Sequence, residues 1–150
     1  MQREVARRMA AGPGTADYSS FSVLCSSVYK VIPLKVLKAS SFYPSPMVDS
    51  QGVRLEPLPR RFKLPGLFYP LVRSLFSGRR KTIRNTLTAY ASSVIMGSMS
   101  QLKVSAFARE AAEEVLGKAN VSGDRRPETL EIGEFAALAA FLEETVTHGS

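Results

Sequence analysis

Arg79-Arg80-Lys81-Thr82-Ile83-Arg84-Asn85 is the segment whose residue types are best suited to chemistry on a partner. Like charges packed this closely repel one another and weaken a helix that carries them. A row of phosphates relieves that repulsion and releases counterions. Arginine suits the task because its guanidinium forks onto a phosphate with two hydrogen bonds. At ~100° per residue, Leu87, Tyr90 and Val94 fall within about 40° of Ile83, and Arg80, Arg84 and Lys81 fall at about 60°, 100° and 160°. The pattern therefore predicts a helix with a basic arc beside an apolar stripe, Arg79 lying on the stripe's other border. A solvated charged face fits the same residues. Pattern alone does not separate RNA from DNA.

Other chemistries are excluded by count. The single cysteine, Cys25, rules out an internal disulfide, and with only His148 beside it no metal-ligand cluster or Cys–His dyad can be built. Gly12-Pro13-Gly14 follows a helical pattern rather than a strand, so it is neither a P-loop nor a dinucleotide turn. No apolar run approaches a membrane span, and the N-terminal stretch lacks the apolar block of a signal peptide. A cytoplasmic protein without metal is expected.

Charge is unevenly spread along the 150 residues. Residues 1–64 hold ten Lys/Arg and four Asp/Glu, residues 65–104 hold six Lys/Arg and no acid, and residues 105–150 hold four Lys/Arg and nine acids. A basic body with an acidic tail suits a polyanion approached from one side.

The elements that must position these residues follow from periodicity and breakers. Residues 1–11 read as a helix that stops at Gly12-Pro13-Gly14. Residues 20–37 are rich in β-branched and aromatic types and read as extended, with Pro33 marking a kink or an edge. A rigid loop covers Ser40-Ser41-Phe42-Tyr43-Pro44-Ser45-Pro46, and a short strand follows at Gly52–Leu55. Two strands alone make a poor sheet, so they fit the antiparallel end of a larger one. Val23, Val31 and Ile32 are then expected to be exposed, with poor solubility as the result. Pro57, Pro59 and Pro65 with Arg60, Arg61 and Lys63 read as a linker. Beyond it, Leu67, Leu71 and Leu75 open a helix ended by Ser77-Gly78. The basic helix follows, then a helix over about 105–116 capped at Gly117. A last helix spans about 132–146, with Phe135, Leu138, Leu142 and Val146 inward and a staple between Leu130 and Phe135.

Five segments add a resemblance: Met1-Gln2-Arg3-Glu4-Val5-Ala6-Arg7-Arg8; Gly12-Pro13-Gly14-Thr15-Ala16-Asp17-Tyr18 with Ser22-Val23-Leu24; Ser41-Phe42-Tyr43-Pro44-Ser45-Pro46-Met47-Val48-Asp49-Ser50; Phe76-Ser77-Gly78-Arg79-Arg80-Lys81-Thr82-Ile83-Arg84-Asn85; and Arg126-Pro127-Glu128-Thr129-Leu130 with Glu134-Phe135. In this order they resemble segments of the bacterial small-subunit rRNA adenine dimethyltransferases. The resemblance implies transfer of two methyl groups from S-adenosylmethionine to the exocyclic amine of each of two adjacent adenines. It implies an α+β chain: the last helix and antiparallel strands of a Rossmann-like methyltransferase sheet over residues 1–56, a linker at 57–66, and a small all-α C-terminal domain at 67–146. Phe42 matches the aromatic that packs on the flipped adenine, although a core aromatic fits the same residue. Arg79, Arg80, Lys81, Arg84, Asn85 and Arg126 would meet the RNA backbone of small-subunit rRNA in an immature subunit.

The sequence also departs from that family. No Gly-rich loop after a strand and no Asn-Leu-Pro-Tyr-like tetrapeptide is found, Met47 stands where lysine is common, and Leu37-Lys38-Ala39 stands where prolines are common. Met1 aligns just after the catalytic tetrapeptide, so a C-terminal fragment is expected, either a truncated product or a mis-assigned start. As a fragment it is expected to bind no S-adenosylmethionine and to be inactive alone. Two alternatives stand beside methyl transfer: a cofactor-independent rRNA-binding or ribosome-assembly module, and a DNA-binding helical domain.

Overall fold

The structure is a computed structural model that describes residues 1–59, 64–78, 80–96 and 101–148. The chain divides into two compact units, Met1–Arg61 and Phe62–Ser150.

The first unit is α+β. Its elements are α1 (Arg3–Met9), α2 (Ser20–Ser26), β1 (Tyr29–Leu37), a 3₁₀ turn (Ala39–Ser41) and β2 (Ser50–Pro57). The strands pair antiparallel with Val31 opposite Leu55 and Pro33 opposite Val53, and the register slips between Pro33 and Val36. Proline has no N–H to give the ladder, which is why the irregularity falls there. The Gln51 side-chain amide donates to the Leu34 carbonyl at 2.9 Å inside the bulge. The chain start is tied to β2: the Arg3 N–H donates to the Asp49 carbonyl at 3.0 Å and the Gln51 N–H to the Met1 carbonyl at 2.9 Å.

Residues 20–26, expected to be extended, are helical instead. Ser22 Oγ accepts the Ser19 N–H at 3.1 Å and donates to the Arg8 carbonyl at 2.6 Å. A serine box thus starts α2 against the end of α1 and buries Val23 completely. Tertiary burial outweighs the β preference of Phe21 and Val23. Val23, expected to be exposed, therefore lies in the small core with Ala6, Tyr18 and Ser22, and Val31 and Ile32 are half-buried. The exposed apolar residues of this unit include Val28, Leu34, Leu37 and Leu55.

The second unit is helical: α3 (Phe68–Ser77), α4 (Ile83–Ile95), α5 (Gln101–Ala119), a 3₁₀ turn (Pro127–Thr129) and α6 (Ile132–His148). Ala108, Ala111 and Ala112 on α5 are small and buried, which lets α4 and α6 pack closely on it. Phe68, Leu71, Val72 and Leu75 from α3 and Phe135, Leu138 and Leu142 from α6 fill the rest of the core. On α4 the buried stripe is Ile83, Thr86, Leu87, Ala91 and Ile95. Tyr90 and Val94, expected inside, are half-buried, because the buried stripe follows the four-residue steps Ile83, Leu87, Ala91 and Ile95 and leaves them on its border.

Helix α5 does not stop at Gly117. It runs to Ala119, and Asn120 takes the left-handed conformation at φ 53°. The Val121 N–H donates to the Leu116 carbonyl at 3.1 Å and the Asn120 N–H to the Gly117 carbonyl at 3.2 Å. This is the Schellman pattern, and asparagine tolerates its left-handed position nearly as glycine does. At α6, Leu130 and Phe135 are both fully buried, as the staple requires.

Gly78 ends α3 where no side chain fits. A Cβ there would lie 2.8 Å from Thr86 Cγ2, and Thr86 is buried. Gly78→Ala is expected to destabilise the helical unit by about 1–3 kcal/mol. Urea unfolding followed by helical circular dichroism checks it. Adding Thr86→Ser, which removes the clashing methyl, should restore most of the loss.

Candidate nucleic-acid interface

The first candidate site is the loop between β1 and β2. The 3₁₀ turn Ala39–Ser41 closes through Ser41 N–H to Lys38 carbonyl at 2.9 Å and Phe42 N–H to Ala39 carbonyl at 3.2 Å. Asp49 braces it from the far end of the loop. Its Oδ1 accepts the Ala39 N–H at 3.0 Å and its Oδ2 accepts Lys38 Nζ at 3.1 Å. Arg3 stands 3.9 Å from the same carboxylate. The Ala39 N–H, and after it Lys38, hold the Asp49 carboxyl below the usual carboxylate range. Phe42 is 41% exposed, so it is not a core aromatic in this structure. Tyr43, which sequence reasoning did not single out, is fully exposed beside it, as is Met47. The Tyr43–Pro44 peptide is cis. An aromatic immediately after Phe42 was the available signal.

The second candidate site lies at the N-terminal end of α4. Arg79 is outside the described residues. Arg80 and Lys81 are exposed but not helical: the Lys81 N–H donates to the Gly78 carbonyl at 2.7 Å, and Thr82 caps α4 in an extended conformation. The expected helical arc is therefore a turn followed by a helix, because the Gly78 turn delays the start of α4 to Ile83. Two of the helix's first N–H groups are capped by the α5–α6 connection, Ile83 donating to the Arg125 carbonyl and Arg84 to the Gly123 carbonyl, each at 2.9 Å. These donors are unavailable to a phosphate.

The same connection carries Arg126, exposed and next in the chain to the residue that caps Ile83. Arg80, Lys81 and Arg126 thus border one end of α4, with exposed Asn85 on its first turn. Arg84 differs. It forms an ion pair with Glu113 and lies 3.8 Å from Asp124, and the hydrogen bond it donates to Glu113 raises its pKa. Gly123 is close here too, since a Cβ on it would meet Leu116 and Arg84 atoms at 3.0 Å.

Arg125, not singled out from the sequence, is structural. Its guanidinium donates to Glu134 at 2.5 and 3.2 Å and to the Thr129 carbonyl at 2.6 Å. Glu134 also accepts the Glu131 N–H at 2.8 Å, capping the start of α6. Burial pushes the Glu134 carboxyl up, but Arg125 and the Glu131 N–H outweigh it and leave it lowered. A carboxyl lowered in the folded state contributes stability above its unfolded range, and that contribution is lost as pH falls through the folded value. The stability of the helical unit is expected to fall as pH drops below about 4. Glu134→Gln should flatten that acid limb, as read by circular dichroism across pH.

Among the described residues no group of His, Cys, Asp and Glu could hold a metal ion, and no helix is long and apolar enough to cross a membrane.

The family model described as "Ribosomal RNA adenine dimethylase" matches residues 1–137. Ribosomal RNA small subunit methyltransferase A of Treponema denticola is 35% identical over 144 residues, which are 95% of this chain and 45% of that protein. The protein of the same name from Pelotomaculum thermopropionicum is 40% identical over 147 residues, again 95% of this chain and 45% of its own length. The chain thus spans about half the length of these relatives. Among solved structures, a dimethyladenosine transferase from Plasmodium falciparum has a similar fold, with a TM-score of 0.77 at 22% identity, covering 97% of this chain and 57% of that one.

Proposed function

The chain belongs to the ribosomal RNA adenine dimethylase family, and on that premise we propose that it serves S-adenosylmethionine-dependent dimethylation of two adjacent adenines in small-subunit rRNA, as the part that faces the RNA. The observation that carries this reading is the extent of the family match, residues 1–137, which includes both the Phe42 loop and the basic turn. Phe42 packs on the target adenine, as an enzyme acting on a flipped base requires. Arg80, Lys81, Asn85 and Arg126 meet the phosphate backbone, and Arg79 is assigned with them from the sequence. Arg84 can join them only by leaving Glu113 and Asp124. On this reading the partner is the immature small ribosomal subunit and the compartment is the cytoplasm.

The described residues of the first unit do not fit a nucleoside cofactor. Gly14 follows a helix rather than a strand. Asp17 is held by Arg7 at 2.7 Å, and Asp49 by Ala39 and Lys38, so both carboxylates are already engaged within the unit. On this reading the donor site belongs to the part of the longer relatives that this sequence does not match. The same misfit favours a second reading, an rRNA-binding or assembly module that needs no cofactor.

Calorimetric titration of the chain with S-adenosylmethionine tests the misfit itself, since measurable binding contradicts both the placing of the donor site elsewhere and the cofactor-free module. Both readings require a preference for small-subunit rRNA over duplex DNA at fixed salt, and equal affinity for the two would sink both. A preference for DNA would point instead to a DNA-binding helical domain.

A further inference from the structure

We infer that Asp49 is a positioning residue for Phe42, acting through the two peptide groups of Ala39. This rests on the reading that Phe42 packs on the target base, and deepens it. The path is short. Asp49 Oδ1 accepts the Ala39 N–H at 3.0 Å. The Ala39 carbonyl accepts the Phe42 N–H at 3.2 Å and the Ser45 hydroxyl at 2.9 Å. One residue, Ala39, therefore joins the carboxylate to the backbone that aims the Phe42 ring.

A 3₁₀ turn of three residues has little stability of its own. Its first N–H lacks an intrahelical partner, and Asp49 supplies that partner from ten residues away. Asp49 is also the only acid between Lys38 and Gly52. Lys38 at 3.1 Å and Arg3 at 3.9 Å hold its carboxylate in place. The Asp49 carbonyl accepts the Arg3 N–H at 3.0 Å, so the first residue of α1 and the Phe42 loop are registered on the same residue. Without the carboxylate, the Ala39 N–H turns to water and the Phe42 ring loses its fixed direction, although the strands on either side remain paired.

The test is a double-mutant cycle read by base stacking, using the whole chain and an rRNA oligonucleotide with 2-aminopurine at an unpaired adenine position. Stacking on Phe42 is expected to quench the fluorescence, and Phe42→Ala to remove most of that quenching. Asp49→Ala should weaken the stacking equilibrium roughly three- to tenfold while Phe42 is present. It should have no further effect in the Phe42→Ala background. Asp49→Asn, whose amide oxygen can still accept the Ala39 N–H, should recover most of the loss. Equal losses in both backgrounds, or none in either, overturn the inference. If Phe42→Ala itself leaves the quenching unchanged, the base-packing reading falls first and this one with it. Should Asp49→Ala unfold the unit, Ser45→Ala tests the same path from the other bond on Ala39. A loss confined to the Phe42 background is then expected, and its absence overturns the inference.

Discussion

Replacing Arg80 and Lys81 together with alanine is expected to weaken binding to small-subunit rRNA roughly tenfold or more at moderate salt, and to lower the slope of log affinity against log salt by about two. Both side chains are exposed, and neither forms an ion pair with a described residue. Their charges are therefore free to displace counterions from a phosphate backbone. Arg84 is the internal control. Glu113 and Asp124 already neutralise it, so Arg84→Ala should leave the salt slope almost unchanged and instead loosen the packing of α4 on α5. Filter binding across a salt series measures both. A loss of slope for Arg84→Ala equal to that of the double variant would mean that the ion pairs open on RNA and that the basic site extends along α4.

Phe135→Ala is expected to cost the helical unit about 3–5 kcal/mol. Phe135 is fully buried, and its ring centroid lies 5.8 Å from that of Phe76, joining α6 to α3. A loss of that size is a large share of the 5–15 kcal/mol that typically holds a domain together. The chain contains two units, so a single melting temperature would mix them. Hydrogen exchange of the α3 and α6 amides isolates the helical one. A change below about 1 kcal/mol would mean that the residue does not occupy this core. The basic turn should lose RNA affinity in step with the unfolding, because Arg126 and Arg80 are held by the same packed helices.

The helices of the second unit were largely legible because their apolar residues recur at helical spacing. Leu71 and Leu75, and Phe135, Leu138 and Leu142, are buried as their spacing requires. Features set by distant partners were not legible. Residues 20–26 carry a strand-like composition, and only the Ser22 bond to the Arg8 carbonyl and the burial of Val23 make them helical. Gly117 looked like a cap, yet Asn120 performs that role because α5 continues past the glycine. In the candidate sites, the run Arg79–Asn85 was visible as charge. Its division into free and neutralised members was not, since Arg84 meets Glu113 from 29 residues away. The Phe42 loop is legible only through resemblance. Its brace at Asp49 is not legible, because the fold brings together residues ten apart in sequence.

The carbonyls of Gly123 and Arg125 give the α5–α6 connection an unusual standing. By its place in the chain it is a surface loop, the kind of segment that ordinarily accepts added or deleted residues. By its bonding it is the first turn of a different helix. An insertion between Val121 and Arg125 would not merely lengthen a loop; it would lift both caps from α4 and tilt the turn that carries Arg80 and Lys81. Length variation among descendants of this chain should therefore avoid these few residues and collect elsewhere, even though nothing in their composition marks them as rigid.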